Sequence, residues 1–509
     1  MSIRMAAAAV CVVAVAVSGC GSSDPKAAKL ARGGTYTEAL GADPGNLHPL
    51  LSRQIETNEV VSFAYDTLIN IDGDGNVVPQ LAQRWDVSPR RVVYTLRDGI
   101  TCADGTPLRA SDVAADYEWI KDPAHQSSMI GSALPSADFT VKADDAARTV
   151  TLTVPQPYGF LVPSSGLVPI VCPKGLANPK LLAHRTDGTG PFVLEDAVAD
   201  DHLTFTVRKG YRWGPDGAAT AAPGTPSRVV FKIVKDESTA ANLLLAGALS
   251  TASVTGPDRA RLEGHGFQKS EESGGPQELW FNQRAGHPTA DPEFRGALVA
   301  ALDLDQLTKV VTQGIGARAT SLTVLEPRPC RIETVEGTLP GHDPDAARST
   351  LAGKSLTLIY PGAGGPSAAG MELMEEMLAP LGVKLTLRGL GATAYQKALF
   401  EGGSWDLAWL SIGIAYPNEM SAFVTGPPSP AGQNFAAVRN ADYARLAGEA
   451  LKTPGAAGCE RWAQADRALL ENLDVVPVAT DAVLGYARDA RIREGIFGTE
   501  PTSIRLLAG

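Results

Sequence analysis

Six cysteines and a handful of aspartates are the residues of this chain whose types and spacing could do chemistry. Cys11, Cys20, Cys102, Cys172, Cys330 and Cys459 include no Cys-x-x-Cys pair, the spacing that a zinc ribbon or a thioredoxin-like redox site needs. Asp72, Asp74 and Asn76 match the opening ligands of a calcium loop. Val77 then stands where that loop needs glycine, and Gln83 where it needs glutamate. The Asp-Gly and Gly-Asn steps supply positive φ instead, which predicts a hairpin turn. The seven histidines are scattered without metal-ligand spacing, and there is no Gly-x-Ser-x-Gly elbow or His-Glu-x-x-His helix. Gly314-Ile-Gly316 follows a helix-like stretch rather than a strand, so it is not read as a dinucleotide turn. No catalytic residue, metal or cofactor is therefore assigned.

The apolar run from Ala6 to Val17 follows Arg4 and is shorter than the roughly 20 residues that cross a ~30 Å hydrocarbon core. It predicts a removable export signal over residues 1–19. Ser18 and Gly19 followed by Cys20 resemble a bacterial lipobox, whose cysteine takes a diacylglycerol on its thiol. Residues 20–32 begin with Gly21-Ser22-Ser23-Asp24-Pro25-Lys26 and read as a flexible tether. The expected location is extracytoplasmic, lipid-anchored to the cell membrane through Cys20. With Cys11 removed and Cys20 lipidated, Cys102, Cys172, Cys330 and Cys459 suggest two disulfides, and three connectivities are open.

The elements that must position any site are numerous. A chain of 509 residues exceeds what one hydrophobic core usually supports, so at least two lobes are expected. The formal charge of −11, without a Lys/Arg cluster, excludes the electrostatic footprint of nucleic-acid binding. Strand-like alternation recurs at 91–96, 150–154, 203–207, 229–234 and 356–360. Helix-like spacing covers Ser111 to Ile120, with Ser111 as a capping residue, and Met371 to Leu378. This mixture predicts an α/β or α+β architecture with no solenoid period.

The order of several segments is specific. Val78 to Trp85 (VPQLAQRW), Tyr94 to Ile100 (YTLRDGI) and Asp104 to Val113 (DGTPLRASDV) come first. Gly188 to Phe192 (GTGPF), Arg208 to Gly214, Leu279 to Asn282 and Phe294 to Asp303 (FRGALVAALD) follow, with weaker echoes at Asp343 to Ala347, Trp405 to Trp409 and Tyr416-Pro417. In this order they resemble the extracellular solute-binding proteins of family 5, the peptide- and nickel-type binding subunits of ABC importers, over roughly residues 33 to 480.

The resemblance implies a two-lobed periplasmic-binding-protein-like fold, type II with an extra domain, built of mixed sheets with flanking helices. Residues 33–54, 186–275 and 478–509 would form a first domain, 55–185 a second and 276–477 a third. That division favours Cys102 with Cys172 and Cys330 with Cys459, since each pair then lies within one domain. The implied function is capture of a peptide or other small solute in the cleft by a monomer that hands it to permease subunits. Two alternatives stand beside it: a ligand sensor or surface binding protein without transport, which shares every one of these segments, and an exported hydrolase, for which no nucleophile or metal motif is present. The resemblance carries the ligand contacts onto Tyr395, Trp405, Trp409, Tyr416 and Asn418, with Asn46 and Leu47 at the first-domain edge. Peptide-binding members commonly have an aspartate before the Tyr-Pro step, where this chain has Ala415 and, nearby, Glu419. A buried ammonium with no carboxylate costs several kcal/mol, so the solute is left as a peptide or similar small molecule.

Overall fold

The alternating segments form strands at Arg91–Leu96, Thr149–Thr153, His202–Val207, Arg228–Ile233 and Ser355–Pro361. They belong to a computed structural model that describes residues 29–508 except 53, 132, 324, 327, 363, 364, 402 and 403. The expected signal, Cys11, Cys20 and the tether up to residue 28 lie outside the described residues. Residues 29–31, the end of that tether, pair with the other terminus: Leu30 bridges Leu507, and Ala31 N–H donates to Leu506 O at 2.9 Å.

The largest sheet has eleven strands. From one edge they run Lys384–Leu390, Ser355–Pro361, Leu407–Leu410, Gln268–Phe281, Val475–Ala487, Thr251–Ser253, Thr35–Leu40, Arg228–Ile233, His202–Val207 and Phe192–Val198. Ala317–Arg318 pairs onto Val475–Ala487 outside this path. The two long central strands carry the chain between the halves of the sheet and pair antiparallel from Gln268↔Ala487 to Trp280↔Val475. Their register shifts between Ser273 and Gly275, a bulge that bends the ladder where it passes from one lobe to the other. Gly275 sits there at φ 104°, and a Cβ would come within 3.0 Å of Ser411 Oγ, so glycine meets both the backbone and the space requirement.

A second sheet, antiparallel and four-stranded, is made of Ala82–Ser88, Arg91–Leu96, Thr149–Thr153 and Thr140–Asp144. The helix Ala110–Lys121 buries Val113, Tyr117 and Ile120 in the same core as Val92, Tyr94, Val150 and Leu152. Ser111 does not cap it. The helix begins one residue earlier, Asp112 Oδ2 accepts from Arg109 N–H at 2.8 Å, and Ser111 bonds Asp145 through N–H and Oγ. The Asp72 to Asn76 turn closes a hairpin between Ile69–Ile71 and Val77–Pro79, with Asp72 Oδ1 accepting from Asp74 and Asn76 N–H, each at 2.9 Å.

Apolar packing divides into a first lobe and a second. One continuous core runs from Tyr36 through Val60, Tyr94, Leu152 and Phe231 to Leu506. Two others, around Leu298, Leu358 and Met374 and around Trp280, Trp405 and Trp462, fill the second lobe. Cys102 is bonded to Cys172 and Cys330 to Cys459, with Cα separations of 6.0 and 5.2 Å.

Inside the first lobe a single carboxylate ties distant segments together. Asp66 is 1% exposed, and each oxygen accepts two bonds: Oδ1 from Gln80 Nε2 at 2.8 Å and Tyr211 Oη at 2.7 Å, Oδ2 from Thr189 Oγ1 at 2.8 Å and Trp213 Nε1 at 2.9 Å. Removing the acceptor strands the Gln80, Tyr211 and Thr189 donors and leaves Trp213 Nε1 with only its 3.2 Å bond to Thr189 O, each lost partner a penalty of about 1–3 kcal/mol if unrelieved. Asp66→Ala is expected to lose at least about 3 kcal/mol of unfolding free energy in urea titration, whereas Asp86→Ala on an exposed strand edge loses under about 0.5 kcal/mol.

Candidate ligand-binding cleft

The two lobes meet at a rim in addition to the central strands. Gly455 N–H donates to Gly159 O at 2.7 Å, and Arg331 Nη2 donates to Gly73 O at 2.9 Å. A Cβ on Gly75 would lie 2.1 Å from Arg328 O, so only glycine allows that approach. Phe160, from the first lobe, is buried in the core of the second, with its ring 5.3 Å from Tyr416 and 6.5 Å from Trp462. Tyr158 hydrogen-bonds Asn418 across the same seam. Beside these contacts lies a cavity of about 330 Å³, with Ile71, Trp85 and Val87 on one wall and Pro329, Tyr416 and Pro454 on the other.

Of the residues expected to line the pocket, Tyr416 and Asn418 stand at this seam. Trp405 and Trp409 do not reach a cleft surface. Both are fully buried, Trp405 Nε1 donating to Ala398 O at 3.1 Å and Trp409 Nε1 to Gln277 Oε1 at 2.7 Å. They pack to opposite cores, Trp409 on the strand Leu407–Leu410, which is covered on both faces, and Trp405 just before it. Tyr395 supports Trp409 by donating Oη to its carbonyl at 2.8 Å. Asn46 and Leu47 pack within the first lobe: Leu47 N–H donates to Ala183 O at 3.1 Å, and Asn46 Oδ1 accepts from His48 N–H at 2.9 Å. Glu419 Oε2 accepts from Ala415 and Tyr416 N–H at 3.1 and 3.2 Å, so it caps its own loop.

Sequence reasoning passed over two features. The first is the loop Ser411 to Gly413, which is at least partly exposed beside the Gly275 bulge and follows two fully buried tryptophans. The second is a set of carboxylates. Glu38, Glu59, Glu272 and Glu494 come from Thr35–Leu40, Ile55–Ser62, Gln268–Phe281 and the C-terminal segment, and each acts on another of the four. Thr499 Oγ1 donates to Glu38 Oε1 at 3.0 Å, and Ser270 Oγ to Glu494 Oε1 at 3.3 Å. Burial, with repulsion from neighbouring carboxylates, pushes Glu38 up to about 7 and Glu272 up to about 8 and raises Glu59, and burial raises Glu494 against its hydrogen bonds to Glu272 and Ser270. No position in the sequence signals this convergence, since the four residues share no motif and no spacing.

A family model describing bacterial extracellular solute-binding proteins, family 5 middle, matches residues 76–433. The chain is similar to Protein XP55 of Streptomyces lividans, 27% identical over 337 residues that cover 63% of this chain and 58% of the relative. It spans 36%, 38% and 58% of the lengths of the first curated relatives it matches. Among solved structures, a substrate binding protein from Microbacterium hydrocarbonoxydans complexed with 4-hydroxybenzoate hydrazide aligns at TM-score 0.73 and 26% identity over 93% of this chain and 99% of that one. The unliganded open form of MppA, a periplasmic murein tripeptide binding protein, aligns at TM-score 0.77 and 20% identity over 95% and 99%. The relatives and fold neighbours are binding proteins rather than enzymes. Among the described residues no helix is long and apolar enough to cross a membrane.

The carboxylate set has a consequence for stability. An unfolded glutamate titrates near 4.3, so between that pH and the raised folded values the native state holds more protons than the unfolded chain. The stabilisation is complete below about pH 4 and is lost as pH rises through about 7 to 8. The melting temperature of the ligand-free protein is therefore expected to fall between pH 5 and pH 9, and Glu272→Gln to make that fall shallower, as read by calorimetry across the series.

Proposed function

The chain belongs to the bacterial extracellular solute-binding proteins of family 5, and on that premise we propose that it captures a small solute, a peptide or similar molecule, between its lobes and delivers it to the permease subunits of an ABC importer. It works outside the membrane as a monomer, held to the lipid by a diacylglycerol on Cys20. The three-part division at 33–54, 186–275 and 478–509, at 55–185 and at 276–477 belongs to this reading.

The observation that carries it is the seam. Two strands join the lobes through a bulged ladder, and the opposite rim is closed by a few separable contacts: Phe160 against Tyr416, Gly159 against Gly455, and Gly73 against Arg331. Such an arrangement opens by bending at the ladder, and a solute touching both walls favours the closed form by the difference in its affinity for the two states. The cavity of about 330 Å³ is within the range that small solutes occupy, and its aromatic and apolar walls would take up a solute's hydrophobic part. Tyr416 and Asn418 would touch the solute, and Tyr395, Trp405 and Trp409 would hold the wall behind them. The fold neighbours were solved with a hydrazide and named for a murein tripeptide, so the ligand is read from this chain's own walls.

Native mass spectrometry of the mature protein is expected to reveal a co-purified small molecule, and adding it back to stripped protein to raise the melting temperature and shrink the radius of gyration in X-ray scattering. Scattering profiles that stay the same with every compound tested, or turnover of the bound compound, would overturn the proposal. Phe160→Ala removes a ring buried only when the lobes are closed, a loss of about 3 kcal/mol to that state. It is expected to weaken solute binding by about 100-fold in calorimetric titration while the far-ultraviolet spectrum is unchanged.

A further inference from the structure

The walls of the cavity between the lobes limit what it can hold. Trp85 and Val87 stand at alternate positions of the strand Ala82–Ser88, each half-buried while Asp86 between them is exposed. Both pack against the margin of the first-lobe core and, with Ile71 and Val162, line the cavity from that side. Across the space of about 330 Å³ stand Pro329, Tyr416, Pro454 and Ala456. Among the described residues no Asp, Glu, Lys, Arg or His lines it, and the four carboxylates beside the central strands lie elsewhere. Its one amide side chain is the exposed Asn76, whose Nδ2 donates to Asp72 Oδ2 at 3.1 Å.

The charged groups along the rim are engaged within the protein. Glu326 takes two arginines, Arg331 Nη2 at 3.0 Å and Arg328 Nε at 3.3 Å, and Arg331 also donates to Gly73 O. Asp72 accepts from the N–H groups of its own turn, and Glu419 from those of Ala415 and Tyr416. A carboxylate, an ammonium or a metal ion brought between these walls would lose its water and meet no counter-charge. An uncharged apolar group incurs no such penalty, and it takes two facing hydrophobic surfaces out of water as the lobes close. An aromatic ring in addition finds Trp85 on one wall and Tyr416 on the other.

We propose that the captured solute is uncharged and mainly apolar, with a ring or a branched hydrocarbon group as its largest part, an inference that rests on the solute-binding reading. Its polar groups are amides, esters or hydroxyls without charge, turned toward Asn76 and water. A linear dipeptide with free termini does not meet this description. The same dipeptide closed on itself as a ring, or capped at both ends, does. Closure around such a solute is driven by burial of apolar surface, so binding carries a negative heat-capacity change and depends little on salt.

The test is a melting and calorimetric panel at pH 7 on the mature protein, built from matched sets. One set is benzamide, benzoate and benzamidinium; another is cyclic Leu-Phe, linear Leu-Phe and N-acetyl-Leu-Phe amide; glucose, spermidine and nickel ions stand beside them. The uncharged members are expected to bind at least about tenfold tighter than the ions of the same set, with a negative heat-capacity change and less than about twofold difference between low and high salt. Trp85→Ala should weaken the uncharged binders at least about tenfold. Ala456→Asp alters an exposed residue of the wall and should turn the preference within the first set toward benzamidinium. Ions bound more tightly than their uncharged counterparts, a sugar, polyamine or metal as strongest binder, or a preference unmoved by both variants would overturn the inference and leave solute capture intact. No melting or scattering response to any compound would overturn both.

Discussion

One backbone ladder governs this molecule: Gln268–Phe281 against Val475–Ala487. Because the chain enters and leaves the second lobe through these two strands, everything between residues 282 and 474 is joined to the first lobe by this strip of hydrogen bonds and by the few contacts of the rim. The strip is continuous enough to hold both halves in one sheet, and it is interrupted at Ser273 and Gly275, where the pairing slips and a glycine backbone takes up the bend. A uniform ladder would give a rigid block. A loop connection would give two independent bodies.

Around that ladder the burial of charge follows two different patterns. Asp66 has a donor at each carboxylate oxygen and Asp474 has Arg295 nearby, whereas the buried Asp116 accepts from Val171 N–H at Oδ2 and has no donor at Oδ1 among the described residues. These groups tie separate segments together. Beside the ladder four carboxylates gather with hydroxyls, and burial raises all four above the usual carboxylate range.

The rim has a comparable logic. Gly75 and Gly159 let backbone meet backbone across the seam, Gly73 O accepts from the Arg331 side chain, and Phe160 supplies a large apolar anchor. The contacts are specific enough to define a closed arrangement, and few enough to be broken without unfolding either lobe. The disulfides Cys102–Cys172 and Cys330–Cys459 each lie inside one lobe, so neither ties the seam shut.

Strand and turn chemistry was readable because it is local: alternation at 91–96 and 203–207, and the Asp72 turn, are decided by neighbours in sequence. Family membership was readable too, because the short segments from Val78 to Asp303 keep their order along the chain. What the sequence could not decide is which side of a packed element faces the cleft. Trp405 and Trp409 looked like contact surface, yet Leu407–Leu410 is covered on both faces, so both rings became core. The carboxylate set was invisible for a related reason, since Glu38, Glu59, Glu272 and Glu494 come together only once the ladder, the first strand, a helix and the C-terminal segment have assembled. Composition and local pattern thus determined the elements and their order, whereas the gathering of buried carboxylates and the facing of each side chain arose from long-range packing, which no window of sequence contains.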